Sequence, residues 1–312
     1  MSPVLFSLFL SDLTEFLSHS YDGLSNVYNA VHIFLDTEEF AVYFRLYLLL
    51  YADDTVILAE SDSELQAGLN AMYLYCKCWS LEVNVSKTKI VIFRKRSYKL
   101  NDNLVFNYNG QNIDIVNEFT YLGIVLTTNG SFCKNKEKLV SQARKAMYSI
   151  FKKSRKLCLP IDIQIEMFDT MVKPILMYGC EVWGFANNSV IESFCLQFYK
   201  SILGLKKGTP NCVVYGELGR FAIDIEIKSR MVAFWKKIIC NKQDKIAVTL
   251  YKLLYKMHLD NFFHSKWIVC IETTLNTCGL SQYWLSQSVP KNVILSNLVK
   301  QSLCDQFKQN WA

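Results

Sequence analysis

The sequence lacks the features that mark secreted and membrane-spanning proteins. No apolar run reaches the roughly 18 residues that a helix needs to cross a bilayer, because Arg45 and Asp53 interrupt the richest stretch, residues 40–58. The apolar segment 3–10 is preceded by no lysine or arginine, and the first basic residue is Arg45, which is unlike a signal peptide. These absences predict a nuclear or cytoplasmic protein that is not secreted and has no membrane partner.

Closely spaced cysteines are also scarce. Of the 11 cysteines only Cys76 and Cys78 are near neighbours, so neither a zinc ribbon nor a disulfide scaffold is indicated. The remaining residues that could bind zinc have spacings that match no short motif: His258, His264, Cys270 and Cys278. No internal repeat or low-complexity tract is present, which excludes a solenoid or a disordered tail.

Size and charge are more informative. With 312 residues, 51% of them hydrophobic, the chain can bury a core, and its length suggests two domains. The formal net charge of +6 hides a split, because residues 1–60 carry one basic and nine acidic residues. One end is suited to cations and the basic remainder to phosphates, which favours a nucleic-acid partner.

The first 60 residues predict a helix followed by a hairpin. Apolar residues recur at helical spacing over residues 2–17, with Ser2 placed to cap the helix and Pro3 at its first position. Residues 43–59 form two apolar runs rich in Tyr, Leu, Val and Ile, broken only by Asp53-Asp54. This pattern indicates a buried β-hairpin with two carboxylates at its turn.

Further helix and strand signals follow. Ser61 and Glu64 form a capping-box pair, and the helical period after them predicts a helix over residues 62–79. Residues 81–93 contain two strand-like segments, and Asn109-Gly110 between two more is a strong hairpin signal. The order of elements up to about residue 126 predicts an α+β layer in which helices pack on an antiparallel sheet.

The pattern changes after residue 126. From Ser131 onward helical periodicities dominate, with Pro160, Pro174 and Pro210 as breaks. We therefore predict a domain boundary near residues 127–132 and a mainly helical second part.

The adjacent carboxylates Asp53 and Asp54 suit a hard divalent cation, which prefers oxygen ligands. In a two-metal site such carboxylates hold the ions that activate an attacking hydroxyl and stabilise a leaving pyrophosphate. The alternative is that Asp-Asp is ordinary turn chemistry. The apolar strand before the pair favours the metal site, because a solvated turn rarely follows a strand that is apolar on both faces.

Leu50-Tyr51-Ala52-Asp53-Asp54 resembles the signature hairpin of the reverse transcriptase palm, in the form common among retrotransposons without long terminal repeats. Ser2-Pro3-Val4-Leu5-Phe6 is similar to the family's preceding helix, whose start borders the template and the incoming nucleotide. The resemblance implies that Asp53 and Asp54 are catalytic residues that bind Mg²⁺ or Mn²⁺. It also implies an RNA template and a DNA primer as partners, and leaves the oligomeric state unknown.

Two further segments resemble palm motifs. Residues 81–93 are similar to a motif in which a lysine lies near the phosphates of the nucleotide, and Lys87 is the candidate. A lysine there can neutralise or protonate the leaving pyrophosphate, whereas the alternative is a solvated turn lysine. Tyr121-Leu122-Gly123 resembles the hairpin that grips the primer end, although such a triplet is also ordinary turn chemistry.

A basic helix follows the palm-like region. Residues 134–156 carry nine basic residues and the single acid Glu137, with an apolar opposite face. Such a surface tracks a phosphate backbone through contacts that ignore sequence and weaken with salt, although a solvated basic face is the alternative. Its candidate contacts to nucleic acid are Arg144, Lys145, Lys152, Lys153, Arg155 and Lys156.

The resemblance extends to residues 172–184 and 202–220, which are similar to the thumb of the same elements. It implies a partial polymerase palm at 1–128, a helical thumb-like region at 129–240 and a helical extension at 241–312. The family's third catalytic carboxylate would lie before Met1, so we expect a truncated RNA-directed DNA polymerase that is catalytically incomplete alone. The alternatives are a non-catalytic nucleic-acid binding module and a structural or interaction remnant.

Overall fold

The computed structural model describes residues 10–18, 48–51, 54–95, 104–241 and 246–309. The chain divides into two compact units, the first formed by residues 1–119 with 127–129 and the second by residues 120–126 with 130–312. Among the described residues, no helix combines the length and the apolar character that crossing a membrane requires. The three-part division at residues 128/129 and 240/241 stays a prediction.

The first unit combines short strands with helices. Strands β1 and β2 form an antiparallel hairpin, and strands β3, β4 and β5 form a second sheet in the order β3-β5-β4. Strand β4 pairs antiparallel with β5, whereas β3 pairs parallel with it. This sheet is therefore mixed, not antiparallel as the sequence suggested. The elements are α1 (Leu13–Ser18), β1 (Leu48–Tyr51), β2 (Asp54–Ile57), α2 (Asp62–Cys78), β3 (Lys89–Ile90), β4 (Phe106–Tyr108) and β5 (Gln111–Ile115).

Helix α2 begins at the predicted capping pair. The Ser61 hydroxyl accepts a hydrogen bond from the Glu64 N–H at 3.2 Å, and the Glu64 carboxylate accepts one from the Glu60 N–H at 3.0 Å. The first bond satisfies a backbone donor that the first helical turn leaves free, and the second joins Glu64 to the residue before the cap. The predicted helix over 62–79 is confirmed, ending one residue earlier at Cys78.

The two faces of α2 bury different partners. Ala71 and Tyr75 pack against Leu13 and Leu17 of α1, and the Tyr75 hydroxyl donates a hydrogen bond to Asp12 at 2.6 Å. The opposite face contacts the three-stranded sheet through a cluster of Leu69, Ile90, Phe106, Tyr108 and Ile113. Helix α2 therefore packs against α1 on one face and against the three-stranded sheet on the other.

The predicted Asn109-Gly110 hairpin is confirmed between β4 and β5. Both residues have positive φ, 49° and 77°, as the two-residue turn favoured by twisted strands requires. Residues 81–88, in contrast, contain turns and no strand, and β3 is limited to Lys89–Ile90.

A further hairpin joins β6 and β7, whose strands pair with each other. Strand β6 is Glu118–Tyr121 and β7 is Ile124–Thr127. Its tip, residues 120–126, groups with the helical second unit.

The second unit is helical, and its helices share one hydrophobic core that extends from Leu139 to Val299. Trp183 and Trp235 are fully buried in it. The α+β class with a mainly helical second part is therefore confirmed. The elements are α3 (Cys133–Leu157), α4 (Ile161–Met167), a π-helical turn (Phe168–Val172), α5 (Lys173–Leu176), α6 (Cys180–Trp183), α7 (Ser189–Ile202), α8 (Asn211–Leu218), α9 (Ile223–Ile239), α10 (Ile246–Leu259), α11 (Lys266–Thr277), α12 (Ser281–Ser286) and α13 (Leu295–Gln309).

Two of the three prolines act as the sequence predicted. Pro160 and Pro210 directly precede α4 and α8, whereas Pro174 lies within α5, which continues from the π-helical turn. A proline lacks an N–H and clashes with the carbonyl four residues earlier, and the wider π turn relieves that conflict. The predicted break at Pro174 is therefore wrong, because the helix widens there and does not end.

Candidate active site and nucleic-acid interface

The predicted hairpin around the two aspartates is confirmed. Tyr51 pairs with Asp54 in the antiparallel register of β1 and β2. Asp54 is exposed, and residues 55–57 are half-buried, so this part of the hairpin is less buried than its sequence suggested. Asp53, together with the template-side candidates Ser2 and Pro3, lies outside the described residues.

Strand β2, which begins at Asp54, packs against α2 through Ile57. Ile57, three residues along β2, contacts both the Ala71–Tyr75 cluster and the Leu69 cluster. A carboxylate at the end of such a strand is held more rigidly than one on a loop.

The oxygen donors of the aspartate pair suit a hard cation such as Mg²⁺ or Mn²⁺. Within the described residues, no group of three or more His, Cys, Asp or Glu could hold a metal ion, and of the pair only Asp54 belongs to that part. This also applies to the His258, His264, Cys270 and Cys278 set, whose described side chains do not form a metal-binding group. The residue types fit a divalent cation at the hairpin.

Lys87 lies in a turn organised by Asn84. The Asn84 backbone carbonyl accepts hydrogen bonds from the N–H groups of Lys87, at 3.1 Å, and Thr88, at 3.0 Å. The Lys87 side chain is exposed, whereas the neighbouring Lys89 forms an ion pair with Asp114 at 2.6 Å. Of these two lysines, Lys87 is therefore the one whose ammonium group faces solvent and is available to a phosphate.

The tip of the β6–β7 hairpin is attached to the helical unit. Leu122 and Gly123 have φ of 45° and 81°, which gives the two-residue turn that joins Tyr121 to β7. The Tyr178 hydroxyl donates a hydrogen bond to the Leu122 carbonyl at 3.0 Å, and Lys138 donates to the Gly123 carbonyl at 3.4 Å. The turn is thereby positioned by Lys138 of α3 and by Tyr178, which lies between α5 and α6.

Glycine is required at position 123 for a second reason. A Cβ atom there would lie 2.9 Å from Cε1 of Tyr178, closer than real Cβ contacts allow. Tyr178 thus both anchors the turn and restricts which residue can occupy it. The hydrogen bonds and the contact with Tyr178 thus account for the conformation of the Tyr121-Leu122-Gly123 turn. A contact between this turn and a primer stays a prediction.

The cations of α3 fall into two structurally different sets. Lys136 is buried, donates to the Asn187 carbonyl at 2.9 Å and lies 5.1 Å from the ring centroid of Trp183. Burial lowers the pKa of the Lys136 ammonium group. Lys136 is therefore a packing residue and contributes nothing to a surface that binds phosphates.

The six candidates named from the sequence are more exposed than Lys136. Arg144 is half-buried, with its guanidinium 5.5 Å from the ring centroid of Phe194 on α7. The other candidates are exposed: Lys145, Lys152, Lys153, Arg155 and Lys156. Two of these lie in the last turn, where the helix dipole favours positive charge. Five exposed cations on one helix form a surface with a strongly positive potential.

Sequence reasoning missed the aromatic residues of this surface. Tyr148 is 58% exposed between Arg144 and Lys152, and it lines a groove with Phe151 and with Gln197 of α7. Its spacing of four residues from both cations was a visible signal, because such residues share a helix face. The contribution of α7 could not be read from the local sequence.

Comparisons with known proteins agree with these features. A family model described as reverse transcriptase (RNA-dependent DNA polymerase) matches residues 1–126. A transposon-derived protein of Caenorhabditis elegans is 27% identical over 143 residues, which are 44% of this chain and 48% of that protein. The RNA-directed DNA polymerase from the mobile element jockey of Drosophila melanogaster is 23% identical over 199 residues, which are 61% of this chain and 19% of that polymerase. No solved structure matches the chain significantly.

The chain thus spans about half the length of the first relative and about one fifth of the second. The segment matched by the family model contains the Asp53-Asp54 hairpin, Lys87 and the Tyr121-Leu122-Gly123 turn. The resemblance drawn from the sequence is confirmed. Residues 1–126 thus match the reverse transcriptase family, and the two relatives are named as a transposon-derived protein and as the polymerase of a mobile element.

Proposed function

We propose that this chain forms the palm and thumb part of an RNA-directed DNA polymerase, with an RNA template and a DNA primer as its partners. The observation that carries the proposal is the β1–β2 hairpin, whose second strand begins at Asp54, directly after Asp53 in the sequence and inside the family-matched residues. The basic surface of α3 supports it, because a polymerase must hold a charged duplex without reading its sequence.

Asp53 and Asp54 would hold Mg²⁺ or Mn²⁺ at the hairpin. When bound, the ion lowers the pKa of the attacking hydroxyl and neutralises charge on the phosphates. The exposed ammonium group of Lys87 would bind the phosphates of the nucleotide and can give a proton to the leaving pyrophosphate. Ser2 and Pro3 would border the template, by resemblance.

Five exposed cations of α3, together with the half-buried Arg144, would contact successive phosphates of an RNA–DNA hybrid: Lys145, Lys152, Lys153, Arg155 and Lys156. The Tyr121-Leu122-Gly123 turn, held by Tyr178, would contact the primer strand. These contacts would bind and orient the nucleic acid, and the aspartate hairpin would hold the metal ion used in nucleotide transfer.

Binding of a blunt RNA–DNA hybrid at increasing salt tests the nucleic-acid surface. If these five candidate cations each neutralise one phosphate, the logarithm of the binding constant falls with the logarithm of salt concentration with a slope of about −4.5. Affinity then drops by about 500-fold between 50 and 200 mM salt. Replacing Lys145, Lys152, Lys153, Arg155 and Lys156 with Gln should remove most of this slope.

A variant with the same change in charge provides the control. It replaces five exposed lysines elsewhere in the second unit with Gln: Lys206, Lys237, Lys252, Lys266 and Lys291. In this control variant the binding constant should still fall steeply with salt concentration. Equal losses in the two variants would show that net charge, and not the α3 surface, determines binding, which would overturn this part of the proposal.

The metal site is tested separately by calorimetric titration with Mn²⁺. Asp53→Ala and Asp54→Ala should each weaken binding, whereas Asp162→Ala, an exposed aspartate of the second unit, should not. Equal binding by all three variants would exclude a metal site at the hairpin. Hybrid binding without metal binding would favour the alternative function, a non-catalytic nucleic-acid binding module.

A further inference from the structure

A groove of about 670 Å³ runs between the C-terminal half of α3 and helix α7. Its size falls within the range of sites that bind small molecules, about 300–1,000 Å³. Its walls combine two aromatic rings, three cations and polar groups of α7. The residues that matter for the argument are Tyr148, Phe151, Lys152, Arg155, Lys156 and Gln197.

The exposed ring of Tyr148 is the unusual feature of this groove. It is 58% exposed, and it makes no ring contact or hydrogen bond to any other described residue. It lies one helical turn before Lys152 and two turns before Lys156, so the ring and both cations share the exposed side of α3. A large aromatic face left in solvent among cations suits a ligand that is both planar and anionic.

The floor of the groove is rigid. The Phe151 ring stacks on Phe198 with centroids 5.5 Å apart, and Phe198 stacks on Phe168 at 4.3 Å. Phe168 and Phe198 are fully buried in the core. Since Phe151 continues this stack, the groove is formed before any ligand arrives and loses little entropy on binding.

A paired duplex does not use such a groove. Its bases are stacked on one another, so it offers α3 only phosphates, whereas an unpaired strand also offers free base faces. Stacking on aromatic side chains combined with cations along the backbone is the usual way in which proteins hold single strands. The exposed hydroxyl of Ser201 and amide of Gln197 add hydrogen-bonding groups suited to a 2′-hydroxyl.

We propose that this groove binds single-stranded RNA, with one base stacked on Tyr148 and the flanking phosphates on Lys152, Arg155 and Lys156. The inference rests on the proposed function, in which the strand that continues beyond an RNA–DNA hybrid is uncopied RNA template. It adds a second mode of binding to the same helix, one that depends on an aromatic ring and not on charge alone.

The test compares three fluorescent ligands on the full chain: an eight-nucleotide single-stranded RNA, the DNA strand of the same sequence and a blunt RNA–DNA hybrid. Tyr148→Ala should weaken binding of the single-stranded RNA by about tenfold, as expected for one base–aromatic stack, and change hybrid binding by less than about twofold. Tyr148→Phe should bind the RNA as the natural chain does. Phe263→Leu, at an exposed aromatic of the same unit, is the control and should change nothing.

A 2-aminopurine base placed in the RNA gives a direct readout of stacking. Its fluorescence should be quenched by the natural chain and by Tyr148→Phe, but not by Tyr148→Ala. Because Tyr148 lies at the surface, circular dichroism should show the same helix content in all variants.

The outcomes separate this inference from the proposed function. Hybrid binding with no effect of Tyr148→Ala on the RNA would overturn the groove assignment alone, as would tighter binding of the DNA strand than of the RNA. RNA binding that depends on Tyr148, without hybrid binding, would support the groove and overturn the duplex-binding part of the proposed function. Binding of none of the three ligands would overturn both.

Discussion

Glu192 on α7 is a half-buried residue whose carboxyl group has an incomplete hydrogen-bond environment. Its Oε2 accepts a hydrogen bond from the Ile223 N–H at 2.8 Å, whereas its buried Oε1 has no partner in the described part of the chain. Burial raises the pKa of Glu192 to about 7, and the nearby negative charge of Asp224 adds to the shift. Ionising this carboxyl group therefore opposes folding.

The size of the effect follows from the shift. The folded-state pKa of about 7 lies above the ordinary value of 4.5, so the folded chain binds more protons than the unfolded chain between these pH values. Stability is then highest below about pH 4.5 and is lost as the pH rises through about 7. Each pKa unit corresponds to about 1.4 kcal/mol, which gives a loss of about 2 to 3 kcal/mol from this group between about pH 5 and pH 8.

Urea unfolding of Glu192→Gln at pH 5 and pH 8 measures this contribution. The glutamine carbonyl can still accept a hydrogen bond from Ile223 but cannot ionise, so the variant should gain about 2 to 3 kcal/mol relative to the natural chain on going from pH 5 to pH 8. Glu166→Gln, at an exposed position of α4, should show no such change. A free-energy difference that is the same at both pH values would refute the reasoning.

Two further predictions concern local structure. Gly123→Ala should destabilise the chain by about 2 kcal/mol, because φ is +81° and the new Cβ would meet Tyr178, whereas Gly110→Ala at φ +77° meets nothing and should cost about 1 kcal/mol. Thermal unfolding measures both, and equal losses would show that the contact with Tyr178 is unimportant. Ser61→Ala should cost about 1 kcal/mol in urea unfolding through loss of the α2 cap, and no change would contradict the role of its bond to Glu64.

Local rules predicted much of the first unit. The capping pair at Ser61, the Asn109-Gly110 turn and the strands around Asp54 each depend on a few neighbouring residues, and all three are confirmed. The parallel pairing of β3 with β5 was not predictable, because it joins Ile90 to Ile115 across an intervening strand and turn. Such pairing depends on long-range packing and not on local propensity.

The basic helix shows the same limit. The helical period predicts the extent of α3 and its buried face, but it does not predict which individual lysines are buried. Lys136 lies at the edge of the apolar face and turns inward because Trp183 and the Asn187 carbonyl, about 50 residues away, accept its ammonium group. The groove beside Tyr148 likewise exists only because α7 forms its other side.

The link between α2 and strand β4 has a consequence for assembly. Strand β4 lies at one edge of the three-stranded sheet, where the backbone groups that face away from β5 could recruit a strand from another molecule. Gln66 prevents this at Asn107, because its side-chain amide donates to the Asn107 carbonyl at 2.8 Å and accepts from the Asn107 N–H at 2.9 Å. One side chain thus imitates a neighbouring strand and closes this border of the sheet to intermolecular β-addition.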